Sequence, residues 1–371
     1  MYPFRCGLLF LFTILSTACT HVTQAPKSAD VSPVLSVDGY EAFIVKSALV
    51  GQDYRIRVRT LASYATNLNK RYPVVIKIDG QWDFSLLTSA YNCLYFDGQM
   101  PETIFIGIDW NITDDKVQAL RARDLSPVAL PQIPNSGQAK GFVQAIASEI
   151  LPAVNNRYRT TGQEFLVGGS WGGLFVTYAL MERPDVFDGA LAIGSSYGGA
   201  DQSLQAQINA LAKAQPLKGN RFYAGAGKLD PAVRGSEEYY EALKKADIKG
   251  LHYKMDFLEG FGHSGMNIPG YAAGLQFLFA RPNLTITKQN LQKFAGDYAP
   301  VGGKGDGLKL QVGENNLQVV LGDEVINLFA LAENQFYRQG VFFNLTFEGN
   351  WVTAETFFGT NRYKRIMGGG K

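Results

Sequence analysis

A serine flanked by glycines is the residue in this chain whose type and spacing best suit chemistry. Ser170 lies in the run Gly-Gly-Ser-Trp-Gly-Gly at 168–173, with glycines two residues before and two residues after it. An apolar run at 165–167 predicts a buried strand, and apolar residues at helical spacing over 173–181 predict a helix. This context predicts a sharp strand-to-helix turn that exposes the serine hydroxyl at the helix N-terminus. A nucleotide-binding turn is the alternative, but the run matches neither G-x-G-x-x-G nor G-x-x-x-x-G-K-[ST].

A histidine is needed as a base, because a serine hydroxyl is a poor nucleophile near neutral pH. The chain has three histidines. His21 lies in a polar N-terminal stretch, and His252 falls inside a predicted strand, where a structural role is favoured. His263 lies in a glycine-rich loop just past the last predicted strand of the sheet, so we predict that it is the base. A solvent-facing loop histidine is the alternative.

An acid that orients the histidine should follow the preceding strand. Asp230 comes just after the predicted strand at 220–227, and it would hold one imidazole tautomer and stabilise the imidazolium. Glu237 and Glu238 are rivals, but they open a predicted helix, where acidic residues are common because of the helix dipole. The chain order of nucleophile, acid and histidine is that of the α/β-hydrolase fold.

An oxyanion intermediate needs hydrogen-bond donors. One should be the backbone N–H of Trp171, the residue after the nucleophile. The second should come from the loop after the apolar run 72–79, from Gln81 or from Trp82. Asp79-Gly80 in that loop is also typical of a simple turn, and the two interpretations are compatible.

The elements around these residues alternate between strand and helix patterns. Strands are predicted at 40–47, 54–60, 72–80, 102–109, 165–167, 189–195, 220–227 and 251–258, and helices at 139–157, 173–181, 203–214, 236–246 and 268–279. The pattern predicts an α/β fold, a mostly parallel sheet with helices on both faces, whose two leading strands form an antiparallel edge. Ligands bind outside the carboxyl ends of the strands in such sheets. From 283 to 371, short alternating runs predict a small antiparallel β domain after an α/β domain over 36–282.

The pattern of the first 19 residues predicts that the protein is exported. Residues 1–19 combine one positive charge, a short apolar run and small residues before Cys19, and they resemble a bacterial lipobox with Ser16 in place of the usual Leu or Val. We predict lipidation at Cys19, a polar tether over 20–35, and a periplasmic or outer-membrane lipoprotein; cleavage after Ala18 is the alternative. Cys93 is predicted to be a small buried residue, although a bridge to Cys19 becomes conceivable without lipidation.

Charge and composition narrow the class of partner. The chain of 371 residues is 46% hydrophobic and 18% charged, which is ordinary for a globular protein. Its net charge of +2 argues against a nucleic-acid partner, since no basic stripe is present. We therefore expect a small-molecule substrate and membrane contact only through the lipid anchor; no oligomeric state is predicted.

Several stretches together resemble the esterase D-like family of α/β-hydrolases. They are 72–80, 121–127, 149–152 with 158–160, 168–173, 184–187 and 262–264, and they span roughly 38–282. The resemblance implies a serine esterase that needs no metal or cofactor, with Ser170, Asp230 and His263 as the triad; the family's acid is often Glu, which differs here. The 123–127 stretch is nearest to the enterochelin-esterase-like branch, which acts on siderophore lactones.

Candidate substrate-binding residues follow from that branch. Trp82, Arg121 and Arg123 could meet a siderophore lactone or an aryl ester, and the two arginines could meet an anionic catechol siderophore. A solvated charged turn explains the arginines equally well. An acyltransferase with the same triad is one alternative function, and an inactive hydrolase scaffold that serves as a surface binding protein is another. The C-terminal domain could pack, shield or line the substrate cleft.

Overall fold

The computed structural model describes residues 40–112, 116–198, 200–302 and 306–366. The predicted signal segment, the lipidation site Cys19, the tether and His21 lie outside these residues. Over the described ranges, no helix combines the length and the apolar character needed to cross a membrane.

An eight-stranded sheet forms the first part of the fold. Its strands are β1 Glu41–Ser47, β2 Gln52–Arg59, β3 Tyr72–Ile78, β4 Ile104–Asp109, β5 Thr160–Gly169, β6 Gly189–Ile193, β7 Arg221–Gly227 and β8 His252–Leu258. Their order is β1-β2-β4-β3-β5-β6-β7-β8. β1 pairs antiparallel with β2, and β2 antiparallel with β4, while β4 and all later neighbours pair in parallel. The predicted mostly parallel sheet with an antiparallel leading edge is confirmed.

Helices cover both faces of the sheet, which is why its central strands are apolar at nearly every position. β3 and β4 are buried along their whole length. Alternate β3 residues divide between two cores: Ile76 and Ile78 pack in one, and Val75 packs in the other. The exception to this apolar pattern is Lys77, which shares the face of Val75.

Ten helices accompany the strands in the described residues. They are α1 Ser63–Thr66, α2 Gly80–Phe96, α3 Val117–Leu125, α4 Ala139–Ala145, α5 Leu151–Arg157, α6 Trp171–Glu182, α7 Asp201–Lys213, α8 Val233–Ala246, α9 Asn267–Leu278 and α10 Lys288–Leu291. A π-helical turn, Ile146–Ile150, joins α4 to α5, so the helix predicted over 139–157 is continuous but not uniformly α-helical.

Two sequence expectations on α2 and α3 are wrong. Cys93 is exposed on α2 rather than buried, because its position falls on the outer face of a helix that the sequence did not predict. Arg121 and Arg123 do not form a solvated turn: both lie on α3, and Arg121 is only 7% exposed.

A closed antiparallel barrel follows the sheet. Its strands are β9 Gly296–Pro300, β10 Leu308–Val312, β11 Leu317–Leu321, β12 Glu324–Ala332, β13 Gln335–Tyr337, β14 Phe343–Glu348, β15 Trp351–Thr356 and β16 Gly359–Arg365. β16 pairs with β9 and closes the barrel around a core that includes Leu310, Leu345 and Phe347. The antiparallel β character predicted for 283–371 is confirmed. Phe357 and Phe358 lie in the turn between β15 and β16.

Candidate active site

Ser170 occupies the turn between β5 and α6 in a strained backbone conformation. Its φ is 56° and its ψ is −121°, a region that residues with a side chain rarely adopt. A Cβ placed on Gly168 would lie 2.1 Å from the Gly172 carbonyl oxygen, so only glycine allows the strand to pass this close to the helix. The predicted strand-turn-helix geometry is therefore present, and it lifts the serine hydroxyl out of the sheet.

Hydrogen bonds to the next strand fix this turn. The Ser170 backbone N–H donates to the Ile193 carbonyl oxygen at 2.9 Å, and the Ser196 N–H donates to the Ser170 carbonyl oxygen at 3.2 Å. The Ser170 Oγ lies 3.3 Å from the Ser196 Oγ. The hydroxyl is thus held at the carboxyl ends of β5 and β6, where a ligand can reach it.

His263 and Asp230 form the closest contact between predicted site residues. His263 Nδ1 lies 2.8 Å from Asp230 Oδ2, and the Ala232 backbone N–H donates to Asp230 Oδ1 at 2.9 Å. The Asp230 side chain is 2% exposed and that of His263 is 40% exposed. Gly194 has a φ of 52°, and a Cβ there would lie 3.2 Å from Asp230 Oδ2 and 3.4 Å from His263 Nδ1, so a side chain at this position would strain the backbone and press on the pair.

The serine and the histidine share one cavity without a direct hydrogen bond. Ser170 and His263 both line a cavity of about 370 Å³. Between these two side chains the structure contains no hydrogen bond, although both residues are fully described. Catalytic hydrogen bonds are often long or poorly aligned in unliganded enzymes and tighten with substrate, so the arrangement suits a resting serine–histidine–aspartate group.

The rival acids and the other histidine lie elsewhere. Glu238 is exposed and its carboxylate pairs with Arg234 on the same helix, and Glu237 is exposed as well. His252 is the first residue of β8 and is exposed. Of the candidate acids, Asp230 alone contacts the imidazole of His263 among the described residues.

Two backbone segments could supply the oxyanion donors. Trp171 begins α6, so no intrahelical carbonyl accepts its backbone N–H. Opposite it, Asp79 has a left-handed conformation, with φ 62° and ψ 43°, and leads into α2 at Gly80. Both polar atoms of the Gln81 side-chain amide are buried without a hydrogen-bond partner in the described structure. The assignment of Gln81 or Trp82 as second donor stays a prediction.

Arg121 connects these two segments. Its guanidinium makes a bidentate pair with Asp79, through Nε to Oδ1 and Nη2 to Oδ2, both at 2.9 Å. The guanidinium carbon lies 4.6 Å from the centroid of a Trp82 ring and 5.5 Å from that of a Trp171 ring. Arg121 and the half-exposed Trp82 both line the Ser170 cavity, so their predicted contact with substrate stays open.

Arg123 has a different neighbourhood. Its guanidinium pairs with Asp124 at 2.7 Å, and the same buried carboxylate accepts hydrogen bonds from Tyr54 and Trp110. Burial opposes the charge on Arg123, but Asp124 outweighs it and raises the pKa of the guanidinium. The structure therefore gives Arg123 a packing role, and it is not one of the residues that line the Ser170 cavity.

The sequence did not identify several polar residues of the cavity lining as site residues, among them Lys77, Asp83 and Asn267. Lys77 Nζ lies 2.7 Å from Asp83 Oδ1, and Asn267 Nδ2 donates to Asp83 Oδ2 at 3.1 Å. The Tyr271 hydroxyl also donates to Asp83 Oδ2. Burial and the Asp83 carboxylate raise the pKa of Tyr271 well above its usual range, so it stays a neutral donor. The one sequence signal that could have identified this cluster is Lys77 itself, a single lysine within an otherwise apolar strand.

A second, larger cavity adjoins the first at Trp82, which lines both. It has a volume of about 990 Å³ and is lined by aromatic, aliphatic and charged side chains, among them Trp110, Ile112 and Arg55. All residues that line these two cavities precede Ile268, so no described barrel residue reaches them. The sequence-based suggestion that the C-terminal domain lines the cleft has no support in this geometry.

Comparisons with known proteins identify the family and the fold of this chain. A family model named Esterase and described as Putative esterase matches residues 47–255. That range includes Ser170 and Asp230 but ends before His263 and the barrel. The ferri-bacillibactin esterase BesA of Bacillus subtilis is 29% identical over 138 residues, which are 33% of this chain and 46% of that protein.

A second relative and a solved structure extend the comparison. The siderophore enterobactin esterase of Emericella nidulans is 28% identical over 165 residues, 39% of this chain and 51% of that protein. The chain thus spans about half the length of the curated relatives it matches. The structure of an IroE-like serine hydrolase from Shewanella oneidensis has a TM-score of 0.57 at 22% identity and covers 69% of this chain and 84% of its own. That likeness concerns the fold.

Proposed function

Because this chain belongs to the Putative esterase family, we propose that it is a serine esterase that hydrolyses a carboxylic ester through an acyl-enzyme. Ser170 is the nucleophile, His263 is the general base and then the general acid, and Asp230 orients His263. The observation that carries the proposal is the 2.8 Å contact between His263 Nδ1 and Asp230 Oδ2 beside a strained serine that lines the same cavity.

The proposed reaction follows from the chemistry of these groups. His263 Nε2 takes the Ser170 proton while Oγ attacks the ester carbonyl, and the buried Asp230 carboxylate stabilises the imidazolium. The Trp171 backbone N–H and a donor of the Gln81 segment stabilise the oxyanion. His263 then gives its proton to the leaving alcohol, and a water molecule, activated in the same way, releases the acid.

The proposed substrate class is a siderophore-type or aryl ester. Two curated relatives are named as siderophore esterases, which supports this class for the part of the chain that they share. The second, larger cavity, which adjoins the Ser170 cavity at Trp82, has room for a bulky group next to the scissile ester. Its aromatic side chains suit an aromatic group. Trp82 and Arg121 are the proposed contacts for such a substrate.

The test is hydrolysis of a small aryl ester by the purified protein and by Ser170→Ala. We expect the variant to lose at least about 10³-fold in kcat, because only the oxyanion donors and substrate binding then remain. The exposed Ser89→Ala on α2 serves as the control and should keep its activity. Retention of a tenth of the activity by Ser170→Ala would refute the nucleophile. Adding a competing alcohol and analysing products separates hydrolysis from acyl transfer.

We propose the location from sequence alone. Residues 1–19 would be an export signal, with Cys19 lipidated and the protein held at a bacterial periplasmic or outer-membrane surface. Incorporation of labelled palmitate by the native protein but not by Cys19→Ser supports this location. A mature N-terminus without lipid indicates ordinary secretion.

A further inference from the structure

Lys77 is the polar residue least expected where it lies. It occupies the central strand β3, all of whose other residues are apolar, and it is 1% exposed. Lysine is almost never fully buried unless its charge is paired, because desolvating an ammonium group is costly. Lys77 nevertheless lines the Ser170 cavity, together with Asn267 and Gly169.

The partners of Lys77 leave it able to donate further. Its Nζ donates to the Ile78 carbonyl oxygen at 2.7 Å and lies 2.7 Å from Asp83 Oδ1. The contact with Asp83 is an ion pair. An ammonium group carries three N–H donors. With one N–H on the Ile78 carbonyl oxygen and one directed to Asp83, Lys77 has one N–H left to donate.

Asn267 offers the complementary group. Its Nδ2 donates to Asp83 Oδ2 at 3.1 Å, which leaves the Asn267 Oδ1 as an acceptor for a ligand. A Cβ placed on Gly169, next to the nucleophile, would lie 3.6 Å from this Oδ1. The cavity that Ser170 lines therefore contains a hydrogen-bond donor, Lys77, and a hydrogen-bond acceptor, Asn267 Oδ1. Ser170 is the residue that would carry the acyl group.

Resting on the proposed function, we propose that Lys77 and Asn267 form an acyl subsite for esters whose acid carries a hydroxyl or amide group near the ester carbonyl. Such a group accepts a hydrogen bond from the ammonium and donates one to the Asn267 oxygen. An alkyl chain of the same size would form neither hydrogen bond and would separate the Asn267 oxygen from water, which sites of this kind reject strongly. The volume of about 370 Å³ favours a short acyl group.

The neighbouring charges favour a neutral hydroxyl or amide over an anionic acid. The Lys77 ammonium is already balanced by Asp83, and Arg121 is balanced by Asp79. A carboxylate placed among these pairs would meet no net positive charge. The subsite therefore recognises hydrogen-bonding pattern rather than charge.

The test compares two esters of one phenol, the butyrate and the 3-hydroxybutyrate, with the acetate as a measure of intact catalysis. We expect kcat/KM for the hydroxylated ester to exceed that for the butyrate at least about tenfold. In Lys77→Met and in Asn267→Leu, this ratio should fall close to one, whatever the change in acetate hydrolysis. Lys77→Met combined with Asp83→Asn avoids leaving a carboxylate unpaired.

Lys254→Met is the matched control. Lys254 is also a strand lysine paired with an aspartate two residues on, at 2.9 Å from Asp256, but it lies on the edge strand β8 and outside the cavity lining. In Lys254→Met, the ratio of kcat/KM for the 3-hydroxybutyrate to that for the butyrate should match the wild-type ratio. Equal rates on both esters with normal acetate hydrolysis overturn the subsite alone, and this holds even if the Lys77 variants do not fold. No hydrolysis of any ester overturns the proposed function.

Discussion

Asp230 is held by two donors, His263 on one oxygen and the Ala232 backbone N–H on the other. This fixed carboxylate can accept only from the Nδ1–H tautomer of His263, which leaves Nε2 free for Ser170. The aspartate side chain is buried while the imidazole is partly exposed. In the proposed mechanism, Asp230 therefore fixes the orientation of His263 from the protein side, and the proton is transferred on the open side.

Asp230→Asn should therefore lower kcat by about 10³–10⁴-fold with a much smaller change in KM. The amide would donate to Nδ1 and stabilise the wrong tautomer without removing substrate contacts. Steady-state kinetics on an aryl ester measures this. Glu238→Gln, on an exposed carboxylate of α8, is the control and should match the wild type. A loss below tenfold for Asp230→Asn would mean that another group orients the histidine.

Glu164 provides a second prediction far from the cavity. Burial, and then the nearby Asp188 carboxylate, raise the pKa of Glu164 to about 8. The folded state thus binds a proton more tightly than the unfolded state, so this group lowers the stability as pH rises from about 4.5 to about 8. Each tenfold difference in proton affinity between the two states corresponds to about 1.4 kcal/mol.

Glu164→Gln should remove most of that loss, on the order of 3–4 kcal/mol, when the free energies of unfolding at about pH 5 and pH 8.5 are compared. A smaller slope should remain, because burial also raises the pKa of Asp188. The exposed Glu237→Gln should keep the wild-type pH dependence. If Glu164→Gln shows the same loss between the two pH values as the wild type, Glu164 is not the titrating group.

The turn between β5 and α6 depends on close approach of two backbones. A Cβ on Gly168 would overlap the Gly172 carbonyl oxygen, whereas a Cβ on Gly141 in α4 would meet no atom within 4 Å. Gly168→Ala should destabilise the protein by about 2 kcal/mol or more and reduce activity through displacement of Ser170. Gly141→Ala should stabilise it by about 0.5–1 kcal/mol. If thermal unfolding gave the two variants the same melting temperature, close approach of the backbones would not be what requires glycine at 168.

Most elements of the sheet could be predicted from the sequence, because their apolar runs and helical periods are long. Helix α2 was not predicted, although Phe84, Leu87, Tyr91 and Leu94 have helical spacing. Its N-cap residue, Asp79, is left-handed and makes no capping hydrogen bond, and Asp83 interrupts the helical backbone, so the start of the helix is irregular. The Lys77–Asp83 pair could not be predicted either, because it forms only when β3 and α2 pack together in the folded protein.

Arg281 is one of the described residues that join the barrel to the α/β part of the chain. Arg281 Nη1 donates to Asn344 Oδ1 at 3.0 Å, and the guanidinium lies 5.1 Å from the centroid of the Tyr337 ring. Burial at this junction lowers the pKa of Arg281. Sequence periodicity indicated the antiparallel strands but not the closed barrel, because closure pairs β16 with β9, which lie far apart in the chain.

The barrel core should be separable from catalysis. Phe347 is 3% exposed and packs against Phe294 and Phe336. Phe347→Ala should destabilise the barrel by about 3–5 kcal/mol, measured as an earlier unfolding transition, while kcat/KM below that transition stays unchanged. Phe358→Ala, at a side chain that is 90% exposed, is the control and should alter neither. Lost activity in a folded Phe347→Ala would show that the barrel shapes the site.

Activation of Ser170 by the fold can be measured with a fluorophosphonate probe on the purified protein, followed by mass-spectrometric mapping of the adduct. The probe reports nucleophile activation without knowledge of the natural ester. We expect a single adduct on Ser170 that forms at least about a hundredfold more slowly in His263→Ala. No adduct on Ser170, or the same labelling rate without the histidine, would contradict it.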